Sequence, residues 1–308
     1  MTRVAVVQDA PAVFDLERTL DKVDDLTARA AAGRAQLVLF PEAFVSGYPQ
    51  GLTFGAVVGA RSPDGHELYR RYWSSSVDLA GPASERLGEI AAGQGVYLAL
   101  GAIERDGGTL YCAALVYGPD GTLVARHRKL VPTGAERLVW GRGDGSTLPV
   151  VQTEIGRIGA VICWENYMPL LRAAMYAKGI EIYLAPTADD LEIWIATVRH
   201  IAKEGRCFVL SACQFLTRAD CPPDYPLDEG AGDVLMRGGS CVVAPSGELL
   251  AGPEYGAATI LFADLELDEI VRGKYDLDVV GHYARPDVFA LHLDERPKQS
   301  VVVRGCEH

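Results

Sequence analysis

Short, continuously apolar runs recur along this chain with helical patterns between them, and that alternation restricts the fold more than any other feature. The runs lie at residues 3–7, 37–40, 96–103, 113–117, 124–127, 158–162, 182–184, 207–212, 240–244 and 259–263. Several, such as Leu37-Val38-Leu39-Phe40, lack the polar alternate residues of a strand with one wet face. They predict strands buried on both faces, in sheets covered by other layers. Helical patterns fall at 16–32, 84–94, 169–178 and 191–205. The last two close on Lys178-Gly179 and Glu204-Gly205, a polar final turn followed by a glycine stop. Pro119-Asp120-Gly121 and Pro245-Ser246-Gly247 mark tight connections.

An α/β fold follows, with two sheets sandwiched between helices. No Pro- or Ser-rich linker, charge run or repeat divides the 308 residues. The expectation is one domain over 1–308 with a short C-terminal tail from about residue 290. The longest irregular stretch, D-C-P-P-D-Y-P-L-D-E-G-A-G-D-V-L-M at 220–236, is expected to be a surface loop, with a two-domain division there as the alternative.

Composition then removes whole classes of function. A net charge of -12 argues against a nucleic-acid surface and an anionic membrane, both of which need clustered Lys and Arg. No apolar stretch approaches the ~18 residues of a membrane span, and Met1 leads straight into a strand pattern, so a cytoplasmic protein is expected. The seven cysteines, at 112, 163, 207, 213, 221, 241 and 306, are odd in number and lack C-x-x-C pairs. They read as reduced thiols. The six histidines are dispersed, and no metal is expected.

The stretch 154–166, E-I-G-R-I-G-A-V-I-C-W-E-N, runs an apolar segment into Cys163, and a helical pattern through Met168, Leu171, Ala174 and Met175 follows. A helix N-terminus beside the sulfur would stabilise a thiolate. The layout is that of the elbow that mounts a serine in other hydrolases, although no G-x-S-x-G is present. Taken alone, Cys163 reads more readily as a small buried hydrophobe. Two further strands end on charged residues, Glu42 and Lys129. Singly these read as a loop cap and as a solvated charge beside Arg126 and Arg128. Ligands of α/β sheets bind beyond the carboxyl ends of strands, so the three side chains are expected to converge. Their chemistry is complementary. A thiol of pKa about 8.5 needs a proton acceptor at neutral pH, and an ammonium group stabilises charge developing on the attacked substrate.

These residues carry a resemblance to the nitrilase, or carbon–nitrogen hydrolase, superfamily. The matching pieces are F-P-E-A-F at 40–44, H-R-K-L-V-P-T at 127–133, C-W-E-N-Y-M-P-L-L-R at 163–172, G-G-S-C-V-V-A-P-S-G at 238–247 and D-V-V-G-H-Y-A-R-P-D-V-F at 278–289. The resemblance implies a four-layer αββα sandwich that pairs with a second subunit. It implies a Glu42, Lys129, Cys163 triad, with Glu136 of T-G-A-E-R helping to position substrate and lysine. Trp164-Glu165-Asn166 resembles the nitrilase branch in particular. The implied activity is hydrolysis of an organic nitrile to the carboxylic acid and ammonia through a cysteine thioimidate and thioester, with no cofactor. An amidase or cyanide-converting hydrolase using the same triad is the alternative, and a non-catalytic binding protein on this fold a further one.

Tyr48, Trp140, Trp164 and Tyr167 match aromatic positions that line nitrilase pockets. Trp194 and His200 sit on the 191–205 helix, where Trp194 is expected to pack as core. His127 beside Lys129 suggests a Cys-His protease pair, but no protease signature surrounds it. The resemblance also implies a homo-oligomer, a dimer or larger, while the short stretch after Phe289 leaves a long spiral assembly in doubt.

Overall fold

In the computed structural model, residues 1–227 and 230–298 are described. Strand β1 (Thr2–Gln8) shows why the apolar runs are continuous. Val4 and Val6 enter a core between two sheets, whereas Ala5 and Val7 face the other way, under helices α1 (Leu16–Ala32) and α3 (Pro82–Gln94). A strand with an apolar layer on each side has no room for alternate polar residues.

The first sheet also holds β2 (Leu37–Leu39), β3 (Tyr97–Asp106), β4 (Thr109–Tyr117), β5 (Leu123–Arg128) and β13 (Thr259–Leu265), in the order β13-β1-β2-β3-β4-β5. The second holds β6 (Val150–Thr153), β7 (Gly156–Ala160), β8 (Ile182–Thr187), β9 (Phe208–Cys213), β10 (Phe215–Thr217) and β11 (Val234–Val243), in the order β10-β11-β9-β8-β7-β6, with β12 (Leu249–Tyr255) pairing to β11. Ile158, Ile182, Leu184, Leu210 and Val242 meet the first sheet in the shared core. Helices α4 (Pro169–Ala177) and α5 (Glu192–Gly205) cover the outer face through Leu171, Met175, Val198 and Ile201. The result is the expected four-layer αββα sandwich.

Each sheet has a parallel heart. Val4 pairs with Leu37 and Leu37 with Tyr97, while Ile158 pairs with Ile182 and Ile182 with Phe208. Strand β5 runs the same way as β3, since β4 is antiparallel to both. The carboxyl ends of β2 and β5 therefore share one edge of their sheet, and those of β7 and β8 share one edge of the other.

Some elements were not anticipated. Helices α2 (Pro63–Ser74) and α6 (Asp268–Asp276) bury only Gly65 and Tyr72, and only Ile270, so neither carries a clear apolar stripe. Strands β6, β10 and β12 are short or largely exposed. Gly205 is not the stop expected of it. Helix α5 closes at Arg206, which takes the left-handed conformation (φ 48), and Gly205 is there because a Cβ would sit 2.3 Å from the Tyr176 ring. Of the expected 220–236 loop, residues 228 and 229 lie outside the described residues, Asp220 ends a 3-10 turn and β11 begins at Val234. The expected tail from about 290 has neither helix nor strand through 298, and its remainder lies outside the described residues.

Candidate active site

Strand β2 delivers Glu42 through Phe40-Pro41, and the chain then turns at Ala43 with φ 50. Gly101 of β3 makes this possible. A Cβ there would lie 2.3 Å from the Pro41 carbonyl oxygen and 2.6 Å from the Glu42 Cα, so only glycine lets the loop lie this close. Gln214 fixes the same loop by donating from Nε2 to the Glu42 carbonyl at 2.8 Å.

Beyond β7, Cys163 also has positive φ, 51, a conformation that costs a non-glycine residue about 1–3 kcal/mol and turns its side chain out of the strand. It opens a 3-10 turn, Cys163–Tyr167, not the α-helix the sequence pattern suggested. The α-helix waits until Pro169, because Met168 ahead of the proline is held extended. A single 3-10 turn offers little dipole to the sulfur. Burial, and then the charge of Glu42, push the Cys163 thiol up, against the pull of Lys129, Thr187 and the Ala188 backbone. Burial and Glu42 thus favour the neutral thiol, whereas the sequence pattern had placed a thiolate-stabilising helix end beside the sulfur.

The charged groups form a buried array. Lys129 Nζ lies 2.7 Å from Glu42 Oε1 and 2.8 Å from Glu136 Oε2. Glu136 also accepts from the Tyr48 hydroxyl at 2.8 Å and the Thr133 N–H at 2.6 Å. The Cys112 thiol donates to Glu42 Oε1 at 3.5 Å, and Glu42 Oε2 is buried with no hydrogen-bond partner among the described residues. Burial raises Glu42 above its ordinary 4.5 despite the opposing attraction of Lys129. For Lys129 burial works against the charge, but Glu42 and the other acidic groups outweigh it and hold the amine well above 10.5. It stays an ammonium.

A cavity of about 320 Å³ opens onto this array, lined by Tyr48, Thr133, Glu136, Cys163, Trp164 and Asp189 among others. A more apolar cavity of about 400 Å³ shares Tyr48 and Glu136 with it and is walled by Leu52, Phe54, Leu138 and Trp140. Lys129 Nζ stands 5.5 Å from the centroid of the Trp140 ring, a favourable cation–π position.

The structure thus brings Glu42, Lys129, Glu136 and Cys163 to one place, with Tyr48 and Trp164 at the same cavity. Trp140 walls the neighbouring one. Tyr167 lines neither; it stands edge-on between Trp164 (5.8 Å) and Trp194 (6.1 Å), and its hydroxyl accepts from Thr197. Trp194 is buried core, donating to Ser211 at 2.8 Å, as its helix position predicted. His200 pairs with Glu204 on the surface. His127 bonds the Thr147 carbonyl and Glu165, not Cys163. Sequence reasoning missed Thr187, whose hydroxyl donates to Cys163 Sγ at 3.2 Å, and Asp189, which accepts the Trp164 indole N–H at 2.8 Å. The signal for Thr187 was present, since it ends a buried strand as Glu42 and Lys129 do.

The carbon–nitrogen hydrolase family model matches residues 3–275. An aliphatic nitrilase of Sinorhizobium fredii is 56% identical over 98% of this chain and 99% of its own. A bifunctional nitrilase/nitrile hydratase of Lupinus angustifolius is 52% identical over 97% and 88%. Among solved structures, an amidase from Nesterenkonia sp. AN1, with the acetamide moiety of fluoroacetamide added covalently at its active-site cysteine, shares the fold. Its TM-score is 0.68 at 23% identity, over 88% of this chain and 92% of that one. The chain belongs to the carbon–nitrogen hydrolase family and, within it, to the nitrilase branch.

Proposed function

We propose that this chain hydrolyses organic nitriles to carboxylic acids and ammonia, with Cys163 as nucleophile, Glu42 as general base, Lys129 as electrophilic stabiliser and Glu136 holding Lys129 in place. One observation carries the assignment of roles: the ammonium of Lys129 is clamped between Glu42 and Glu136, and Glu136 lines the same cavity as Cys163. The nitrilase names of relatives above 50% identity over nearly the whole chain support the substrate class.

In the reaction, the Cys163 proton passes to Glu42 as sulfur bonds to the nitrile carbon, and the nitrogen gains charge beside Lys129. Glu42 passes that proton on to the nitrogen, which gives a thioimidate and leaves Glu42 ionised again. Water adds to it, one proton passing through Glu42 to the nitrogen, and ammonia leaves on gaining the proton of the new hydroxyl, so that a thioester remains. A second water, activated by Glu42, releases the acid and restores the thiol. The apolar second cavity suits an apolar substituent on the nitrile. The same proposal has the enzyme act in the cytoplasm, as a homo-oligomer of dimer size or larger. Exposed Leu170 and Ile193 on α4 and α5 support the latter, and a monomer by light scattering refutes it.

A nitrile panel with ammonia and acid quantified tests the reading. Turnover is expected, and Cys163→Ala should abolish it with the fold retained. Turnover of amides with none of nitriles would instead make the chain an amidase.

A further inference from the structure

Glu165 and His127 are buried and charged, yet neither touches the cavity at Cys163. The Glu165 carboxylate accepts three hydrogen bonds. Oε2 takes the Ile162 N–H at 3.1 Å and faces His127 Nε2 at 2.9 Å, while Oε1 takes the Leu130 N–H at 2.6 Å. Ile162 immediately precedes Cys163, and Glu165 lies in the turn that Cys163 opens. Leu130 immediately follows Lys129, and His127 lies two residues before it. One carboxylate therefore binds the backbone on the cysteine side and on the lysine side.

The ionic state follows from the partners. His127 Nδ1 lies 2.6 Å from the Thr147 carbonyl, which can only accept, so Nδ1 carries a proton. Glu165 already takes two backbone N–H groups, which suits a carboxylate, so Nε2 carries a proton as well and the pair is an imidazolium on a carboxylate. Burial works against charge on His127, but Glu165 and the Thr147 carbonyl outweigh it and raise its pKa. Asn166 completes the joint by donating to the Val161 and Cys163 carbonyls at 3.0 and 2.8 Å.

We infer that Glu165, seated by His127, is a positioning residue that locks the Lys129 segment of one sheet to the Cys163 turn of the other. It thereby sets the distance between nucleophile and ammonium. The inference rests on reading Lys129 and Cys163 as the reacting pair. A misplacement of about 1 Å between reacting groups costs on the order of a hundredfold in rate, so a clamp at this point is felt in turnover more than in binding.

Glu165→Gln keeps the shape and removes the charge. With folding verified by circular dichroism and melting, its kcat should fall about a hundredfold with KM nearly unchanged. Alkylation of Cys163 by iodoacetamide, followed on its own peptide by mass spectrometry, should shift its pH midpoint upward as Lys129 draws away. A merely structural role would lower the melting temperature and leave both readouts in place. A folded variant with wild-type kcat and midpoint overturns the inference, as does a rise in KM alone. If Glu165→Gln does not fold, His127→Gln decides. It removes the imidazolium and leaves both backbone bonds, so a fall of about tenfold or more in kcat supports the clamp, and a folded variant with native kcat and midpoint overturns it. The alkylation arm needs no turnover. Should the wild type hydrolyse no nitrile, the proposed function fails and alkylation alone decides the clamp.

Discussion

Thr187→Val tests how the thiol is made reactive. The Thr187 oxygen accepts the Asp189 N–H at 2.9 Å, which leaves its proton free to point at Cys163 Sγ, 3.2 Å away. The hydroxyl is fully buried at the end of β8, so no water replaces it readily. A hydrogen bond to a charged group contributes about 1.5–3 kcal/mol, and each pKa unit is about 1.4 kcal/mol. Losing this donor disfavours the charged form, so the thiol, already raised by burial and Glu42, should rise further. The assay is the pH dependence of iodoacetamide labelling at Cys163, read on its peptide, in wild type, Thr187→Val and Thr187→Ser. The midpoint should move up in the valine variant and stay near wild type in the serine variant. At neutral pH, kcat/KM should fall about ten- to a hundredfold in the former. A folded valine variant with an unmoved midpoint would refute the reasoning, since the hydroxyl would then give nothing to the sulfur.

Gly101→Ala should cut kcat sharply and lower the melting temperature, because the new Cβ meets only backbone atoms, at 2.3–2.6 Å, and the Glu42 loop must move; steady-state kinetics with a thermal melt checks both. Trp194→Phe should destabilise by about 1–2 kcal/mol through the lost bond to Ser211 and leave kcat unchanged, as urea denaturation and turnover would show. Lys129→Met leaves Glu42 and Glu136 buried without their cation, at a cost of about 3–5 kcal/mol near neutral pH. The sign with pH is set by Glu42, already raised by burial: without its cation it holds a proton more tightly folded than unfolded, so folding takes up a proton and stability should recover as pH falls from 7.5 toward 5. Urea midpoints in Lys129→Met that fall alongside those of wild type on acidification would contradict this.

The layers were legible because burial on both faces writes itself into unbroken apolar runs, as in Val4-Ala5-Val6-Val7. Glu42, Lys129 and Cys163 stood out for the opposite reason, as reactive side chains at the ends of such runs. Helices α2 and α6 were illegible because they bury so little of their surface. The meaning of Trp164-Glu165-Asn166 was only partly readable. Residue spacing cannot say that Trp164 faces the cavity while Glu165 and Asn166 turn inward to hold the backbone, because a 3-10 turn sends adjacent side chains to different sides. Thr187 escaped for a simpler reason: a hydroxyl after an apolar strand has many ordinary uses, and only its distance to the sulfur gives it this one.

The charge balance of the array argues for the order of events at Cys163. With Glu42 and Glu136 ionised around one ammonium, the buried array is already negative by one charge. A thiolate formed before substrate arrives would double that excess. Two like charges about 4 Å apart repel by roughly 4 kcal/mol at the effective dielectric constant of a protein site; behind burial, the charge of Glu42 is among the causes that raise Cys163, and the charge of Glu136 among those that raise Glu42. Deprotonation therefore fits best when it moves a charge rather than adding one. If the thiol proton crosses to Glu42 while the sulfur electrons pass into the substrate, Glu42 is neutralised as the nitrile nitrogen turns negative, and the excess stays at one. The raised carboxyl is suited to taking that proton, and the freed attraction of Lys129 goes to the new anion. A static thiolate would work against such a transfer, and burial and the charge of Glu42 both disfavour one.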